Sequence, residues 1–144
     1  MNVEPNGLSA ELRLAYSDTD YRVDDNGCQF TLRVNERSVS LLECYATHRV
    51  QSAAYLTAWN PRSEPTPGEG NAAAQARLES EVKAAGWMFL RGQGVDPHGR
   101  WPAEPSILVL GMGAEQASAL GRAYQQNALV FAGADAIARL VTLV

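Results

Sequence analysis

Trp59-Asn60-Pro61-Arg62 and Trp101-Pro102-Ala103-Glu104-Pro105-Ser106 hold the side chains best suited to chemistry in this sequence. The first run closes an apolar, β-branched stretch, the second leads into the apolar residues 106–111, and Gln125-Gln126-Asn127 leads into another such stretch. Indole rings can stack on a planar ligand, while Arg62 or Arg91 can pair with an anionic group through two parallel hydrogen bonds. Glu104 or Asp96 can act as a general base, with arginine holding an anionic part of the substrate. The same residues also have plainer uses. Trp59 and Trp101 can pack at a sheet end with their indole N–H on a carbonyl, and Asn60 before Pro61 can form a turn by bonding its own backbone.

Other motifs give less. Gly111-Met112-Gly113 stands between a strand and a helix, but a dinucleotide fingerprint needs a third glycine where Gln116 stands, so a tight turn at a helix N-terminus is expected. "RGQGVDPHGR" lacks the lysine and the Ser/Thr-helix unit of a P-loop and reads as a hairpin loop whose glycines permit positive φ. Asp96, His98 and Glu104 match no metal-ligand spacing, and no metal or cofactor is expected. His48 sits near a helix C-terminus, where the dipole favours its charged form. Ser106 lies outside any G-x-S-x-G elbow. Cys28 and Cys44 are too far apart for a CxxC unit and read as two buried free thiols.

The 144 residues fit one domain, and 46% hydrophobic with 19% charged residues is an ordinary globular composition. A formal net charge of −4 gives no broad footprint for nucleic acid. No apolar run approaches the ~20 residues of a membrane span, and "MNVEPNGLSAELR" lacks a basic region followed by an apolar one, so a cytoplasmic protein is expected.

These residues need elements to position them. Thr66-Pro67-Gly68-Glu69 offers a capping hydroxyl, a proline at the first helical position and a glutamate beyond, and the helix that follows places Ala74, Leu78, Val82 and Ala85 on one face and Gln75 off it. Gly86 supplies a left-handed cap. Strands are expected at 87–91, 106–111 and 127–132, a helix at 113–126 with Ala117, Leu120, Gly121 and Tyr124 inward, and a closing strand in "AIARLVTLV". Upstream, 30–34 reads as a strand, 38–49 as a short helix, and the stretch after Ser9 as a helix ending before a strand near Tyr21 to Val23.

From residue 53 the order is strand, helix, strand, strand, helix, strand. That is an α+β fold of the ferredoxin-like split βαβ kind (βαββαβ), with an N-terminal α/β extension over 1–52 packed on the sheet and an extra C-terminal strand. A mixed sheet of different order and a three-layer sandwich are the alternatives. The strand order is then 4-1-3-2, and Trp59, Asn60, Arg62, Asn71, Arg91, Trp101, Glu104, Ser106 and Asn127 collect at one end, with Asp96, His98 and Gln125 nearby. The buried strands need cover on both faces, from the N-terminal elements or a partner subunit.

"TAWNPRS", Asn71, the run 86–111 and "ALGRAYQQNALVF" together resemble the bacterial family catalogued as domain of unknown function 3293. The resemblance rests on Thr57 to Pro61, on Trp101, Glu104 and Ser106, and on Gln126 to Ala128, with Gly111-Met112-Gly113 in place of glycine-isoleucine-serine. It implies a small bacterial cytosolic protein and brings no established activity. Three functions follow, in order of preference. The first is a ligand-binding or regulatory module for a small anionic or planar molecule. The second is an enzyme using Glu104 or Asp96, and the third a structural domain that dimerises through the sheet surface bearing Tyr55 and Thr57.

Overall fold

The computed structural model describes residues 3–4 and 7–144; the leader reading of the first residues rests partly on positions outside these. Strands β1 (Val3–Glu4) and β2 (Gly7–Leu8) form a small antiparallel pair. Then come α1 (Ala10–Asp18), β3 (Asp20–Asp25), β4 (Cys28–Leu32), α2 (Val39–His48), β5 (Ala53–Leu56) and α3 (Gly68–Ala84). The chain continues through β6 (Met88–Val95), β7 (Glu104–Leu110), α4 (Ala114–Ala123), β8 (Ala128–Ala132) and β9 (Ala138–Thr142). The fold is α+β. Seven strands form one sheet in the order β4-β3-β6-β7-β5-β8-β9, each antiparallel to its neighbours. No helix among the described residues is long and apolar enough to cross a membrane.

Strict alternation along the strands feeds two apolar layers. Tyr55, Leu90, Leu108 and Val130 face α2, which buries Leu41, Cys44 and Tyr45 among them. Ala54, Ile107, Val109 and Leu129 face the opposite way, towards α3 and α4. Leu78 and Val82 of α3 are only 1% exposed, a burial that contributes roughly 1.5–3 kcal/mol for each side chain. The second face is thus covered from within the chain. The N-terminal segment does more than pack on the sheet, because the β3–β4 hairpin extends it beyond β6, turning at Asn26-Gly27 with both residues at positive φ.

The starts of the helices show what the local signals decide. Ser9 and Ser38 cap α1 and α2, their hydroxyls accepting from Leu12 N and Leu41 N. For α3 the expected cap fails. The helix begins at Gly68 after Pro67, and the Thr66 hydroxyl donates to the Glu64 carbonyl instead. Asn71 ties this corner, and Gln75 is buried on the inner stripe while Ala85 is exposed. The C-terminal cap is as expected: Gly86 sits at φ 89°, with Gly86 N on Lys83 O and Trp87 N on Val82 O. Gly111, at φ 84°, turns the chain between β7 and α4, and the Gln116 side chain accepts from Gly113 N.

Strand β6 is longer than the sequence suggests. Gly92 and Gly94 are strand residues, not loop residues, and neither has positive φ. Both face the layer that holds Tyr55. A Cβ on Gly92 would lie 1.8 Å from the Arg22 carbonyl oxygen, so the close approach of β3 requires glycine there.

Candidate functional site

A cavity of about 300 Å³ opens at the end of the sheet where β5 finishes and β7 begins. Its floor is the sheet itself: Tyr55 and Thr57 from β5 and just beyond, Gly94 from β6, Glu104 and Ser106 from β7, and Ala128 and Val130 from β8. Gly94 leaves the floor bare of side chain at its position. One wall is α1, through Leu12, Ala15 and Tyr16, with Thr19 and Tyr21 beyond it. The facing walls are Trp59, Asn60 and Ser63 on one side and Trp101 on the other. The Tyr55 hydroxyl reaches across the floor to donate to Arg22 O at 2.6 Å, and its ring meets Tyr21 edge-on with centroids 5.3 Å apart.

The Trp59–Ser63 corner is held by hydrogen bonds from three directions. Asn60, Arg62 and Ser63 all take positive φ (46°, 58° and 59°), a conformation that side-chain-bearing residues adopt only when their surroundings enforce it. Asn71 Oδ1 accepts from Asn60 N at 2.8 Å, and Asn71 Nδ2 donates to Asn60 Oδ1 at 2.8 Å and to Thr66 O at 3.1 Å. Gln75 Oε1 accepts from Ala58 N at 2.9 Å. From the β8 side, Arg62 N donates to Gln125 O, Gln126 Nε2 to Trp59 O and Asn127 Nδ2 to Ser63 Oγ. The Tyr16 hydroxyl, on α1, bonds the same Ser63 Oγ at 2.9 Å, joining the wall to the corner.

Glu104 is the chemically distinctive member. It is half-buried, and Asn60 Nδ2 donates to its Oε2 at 3.2 Å; no cation pairs with it among the described residues. Burial pushes its carboxyl above the ordinary range, with the Asn60 amide offsetting part of the rise. Burial likewise pushes up the hydroxyls of Tyr16, Tyr21 and Tyr55, so these groups are neutral.

The raised carboxyl of Glu104 makes stability depend on pH. In the window between the ordinary carboxyl pKa and the raised folded one, the folded chain binds more protons than the unfolded chain. Stability therefore falls as pH rises through that window, and the loss persists at neutral pH. Glu104→Gln keeps an acceptor for Asn60 and removes the charge. It is expected to unfold at the same or a higher urea midpoint than the wild type at neutral pH, and to lose that advantage in acid. A lower midpoint at neutral pH would mean that partners beyond Asn60 stabilise the carboxylate.

Of the nine residues expected at the site, Trp59, Asn60, Trp101, Glu104 and Ser106 line the cavity. Asn71 and Asn127, each 2% exposed, lie behind it and hold its corner. The two arginines do not line the cavity. Arg62 is exposed, and its side chain makes no ion pair among the described residues. Arg91 lies in mid-strand opposite Ile107 and bonds Glu79 of α3 at 2.8 Å, because β6 runs four residues past it. Asp96 is also removed as a base. Its carboxylate accepts from His98 N, Arg100 N and the Arg100 guanidinium, which holds it well below the usual carboxylate range. Among the described residues no three His, Cys, Asp or Glu side chains gather as a metal would require.

Sequence reasoning missed the α1 wall, Tyr21 and Tyr55. The spacing of Leu12, Ala15, Tyr16 and Thr19 marks one helical face, and Gly92 and Gly94 alternate on one strand face; both signals were there to read.

Fold and site together define an α+β protein with an aromatic cavity at one end of an antiparallel sheet. Residues 56–129, just over half of the chain, match the family described as protein of unknown function (DUF3293), and the chain belongs to that family. No curated protein and no solved structure matches it.

Proposed function

We propose that the protein is a small-molecule-binding module whose ligand occupies the cavity between α1 and the sheet. The observation that carries this reading is a concave, mainly apolar site of about 300 Å³ with a few convergent polar groups, among them one half-buried and thinly bonded carboxyl. That combination is the usual character of a ligand site. The aromatic lining suits a planar ligand. Four central strands in the order β6-β7-β5-β8, with α3 and α4 on one face, support a ferredoxin-like split βαβ unit as the scaffold. The free thiols of Cys28 and Cys44 fit a cytosolic location.

A thermal-shift screen of small aromatic metabolites and nucleobases tests the reading. Trp101→Ala and Gly94→Ala are expected to abolish the shifts seen with the wild type, the first by removing a wall and the second by placing a methyl in the cavity. Arg62→Ala and Arg91→Ala are expected to leave them intact. Shifts that survive both Trp101→Ala and Gly94→Ala would place binding elsewhere.

The raised carboxyl of Glu104 favours a second reading, in which it acts as general base on a bound substrate. Glu104→Gln would then abolish turnover and retain binding.

A further inference from the structure

We infer that the ligand of this cavity carries a positive charge, as an ammonium or a protonated ring nitrogen directed at Glu104; this rests on the binding reading above. No lysine, arginine or histidine lines the cavity among the described residues, and the charged groups that do are Glu104 and the exposed Glu11. An anion would therefore enter against a carboxylate with no cation to receive it. Of the neighbouring arginines, Arg100 pairs with Asp96 and Asp18, Arg22 with Asp20 and Arg91 with Glu79, while Arg13 and Arg62 are exposed and do not line the cavity.

Glu104 for its part has unused acceptor capacity. A carboxylate offers about four lone-pair sites, and one neutral amide, Asn60 Nδ2 at 3.2 Å, is the side-chain donor it has. Half-buried charge without a counter-ion is costly, and a ligand cation would relieve that cost. The walls act in the same sense. Trp59, Trp101, Tyr16, Tyr21 and Tyr55 line the cavity, and aromatic faces attract cations. The titratable groups around Glu104 are Tyr16 and Glu11 of α1, Tyr21 of β3 and Tyr55 of β5, and the three tyrosines stay neutral.

Three single-ring probes of like size and different charge provide the test: benzylammonium, benzyl alcohol and benzoate. Each is titrated into the full chain while the indole N–H signals of Trp59 and Trp101 are followed by NMR, with Trp87, on the other face, as the internal reference. At neutral pH benzylammonium is expected to bind at least about tenfold tighter than benzyl alcohol, the gain typical of a hydrogen bond to a charged group, with benzoate weakest. That preference should shrink as pH falls through the titration of Glu104, since the protonated carboxyl no longer attracts a cation. Glu104→Gln should bring benzylammonium down to the level of benzyl alcohol. If benzyl alcohol or benzoate moves the two indole signals as readily as benzylammonium, the charge inference is overturned while the cavity remains a binding site. If none of the three moves them, the binding reading falls and the charge inference falls with it.

Discussion

Gly92→Ala is expected to lower the unfolding free energy by at least about 3 kcal/mol, a large share of the roughly 5–15 kcal/mol that holds a domain folded. The added Cβ would meet the Arg22 carbonyl oxygen at 1.8 Å and its carbon at 2.9 Å. Both are backbone atoms of β3, so no rotamer change relieves the contact. The Tyr55 hydroxyl lies 3.0 Å from the same point, and its bond to Arg22 O would be disturbed together with the Val23–Gly92 pairing. Gly94→Ala is the control, because its Cβ would lie 3.7 Å from Thr19 Cγ2, an ordinary contact. It should change stability by no more than about 1 kcal/mol. Urea unfolding of the two variants makes the comparison, and equal midpoints would show that β3 is not seated against β6 in this way.

Asn71 should prove nearly as sensitive, by a different mechanism. Replacing it with leucine keeps the buried volume but removes three hydrogen bonds, stranding Asn60 N and Thr66 O and leaving Asn60 Oδ1 with Thr66 N alone. Orphaned polar groups of this kind cost about 1–3 kcal/mol each, and water reaching the half-buried corner offsets part of that, so a net loss of about 3 kcal/mol is expected. For a chain of this length the melting midpoint should fall by roughly 10 °C. Asn60→Gly and Asn60→Ala separate the contributions, since both lose the side-chain bonds and alanine alone carries the added penalty of positive φ, about 1 kcal/mol. An Asn71→Leu protein with wild-type stability would mean that the corner holds its strained backbone without the amide network.

What was legible in the sequence divides along physical lines. Helices α1 and α2 were legible because a serine cap and a short-range apolar spacing are local signals. The buried strands β7 and β8 were legible because continuous apolar runs bounded by turns have few other uses. Trp59, Asn60, Trp101, Glu104 and Ser106 converge because adjacent strand ends carry them. Gly92-Gln93-Gly94 misled because glycine signals either a turn or a close approach, and the partner making that approach, Arg22, is 70 residues away in sequence. Reading those glycines as a loop ended β6 too early and moved Arg91 to the wrong place. Gln75 read as lying off the inner face because polarity usually means exposure, and Asn71 read as a ligand contact; here each is buried and bonds a backbone that bends away from regular structure.

The α1 wall lies outside the 56–129 region that matches the family, and none of the helix's residues is buried. The amide network of the polar corner is therefore written inside that region and part of the cavity's outline outside it. Exchanging Leu12 or Ala15 alters the shape of the cavity without touching the amide network or either apolar layer, so the thermodynamic penalty is small. On the binding reading proposed above, such a separation would let selectivity drift while the corner stays fixed, and this helix would be the place to retune the protein for a different guest.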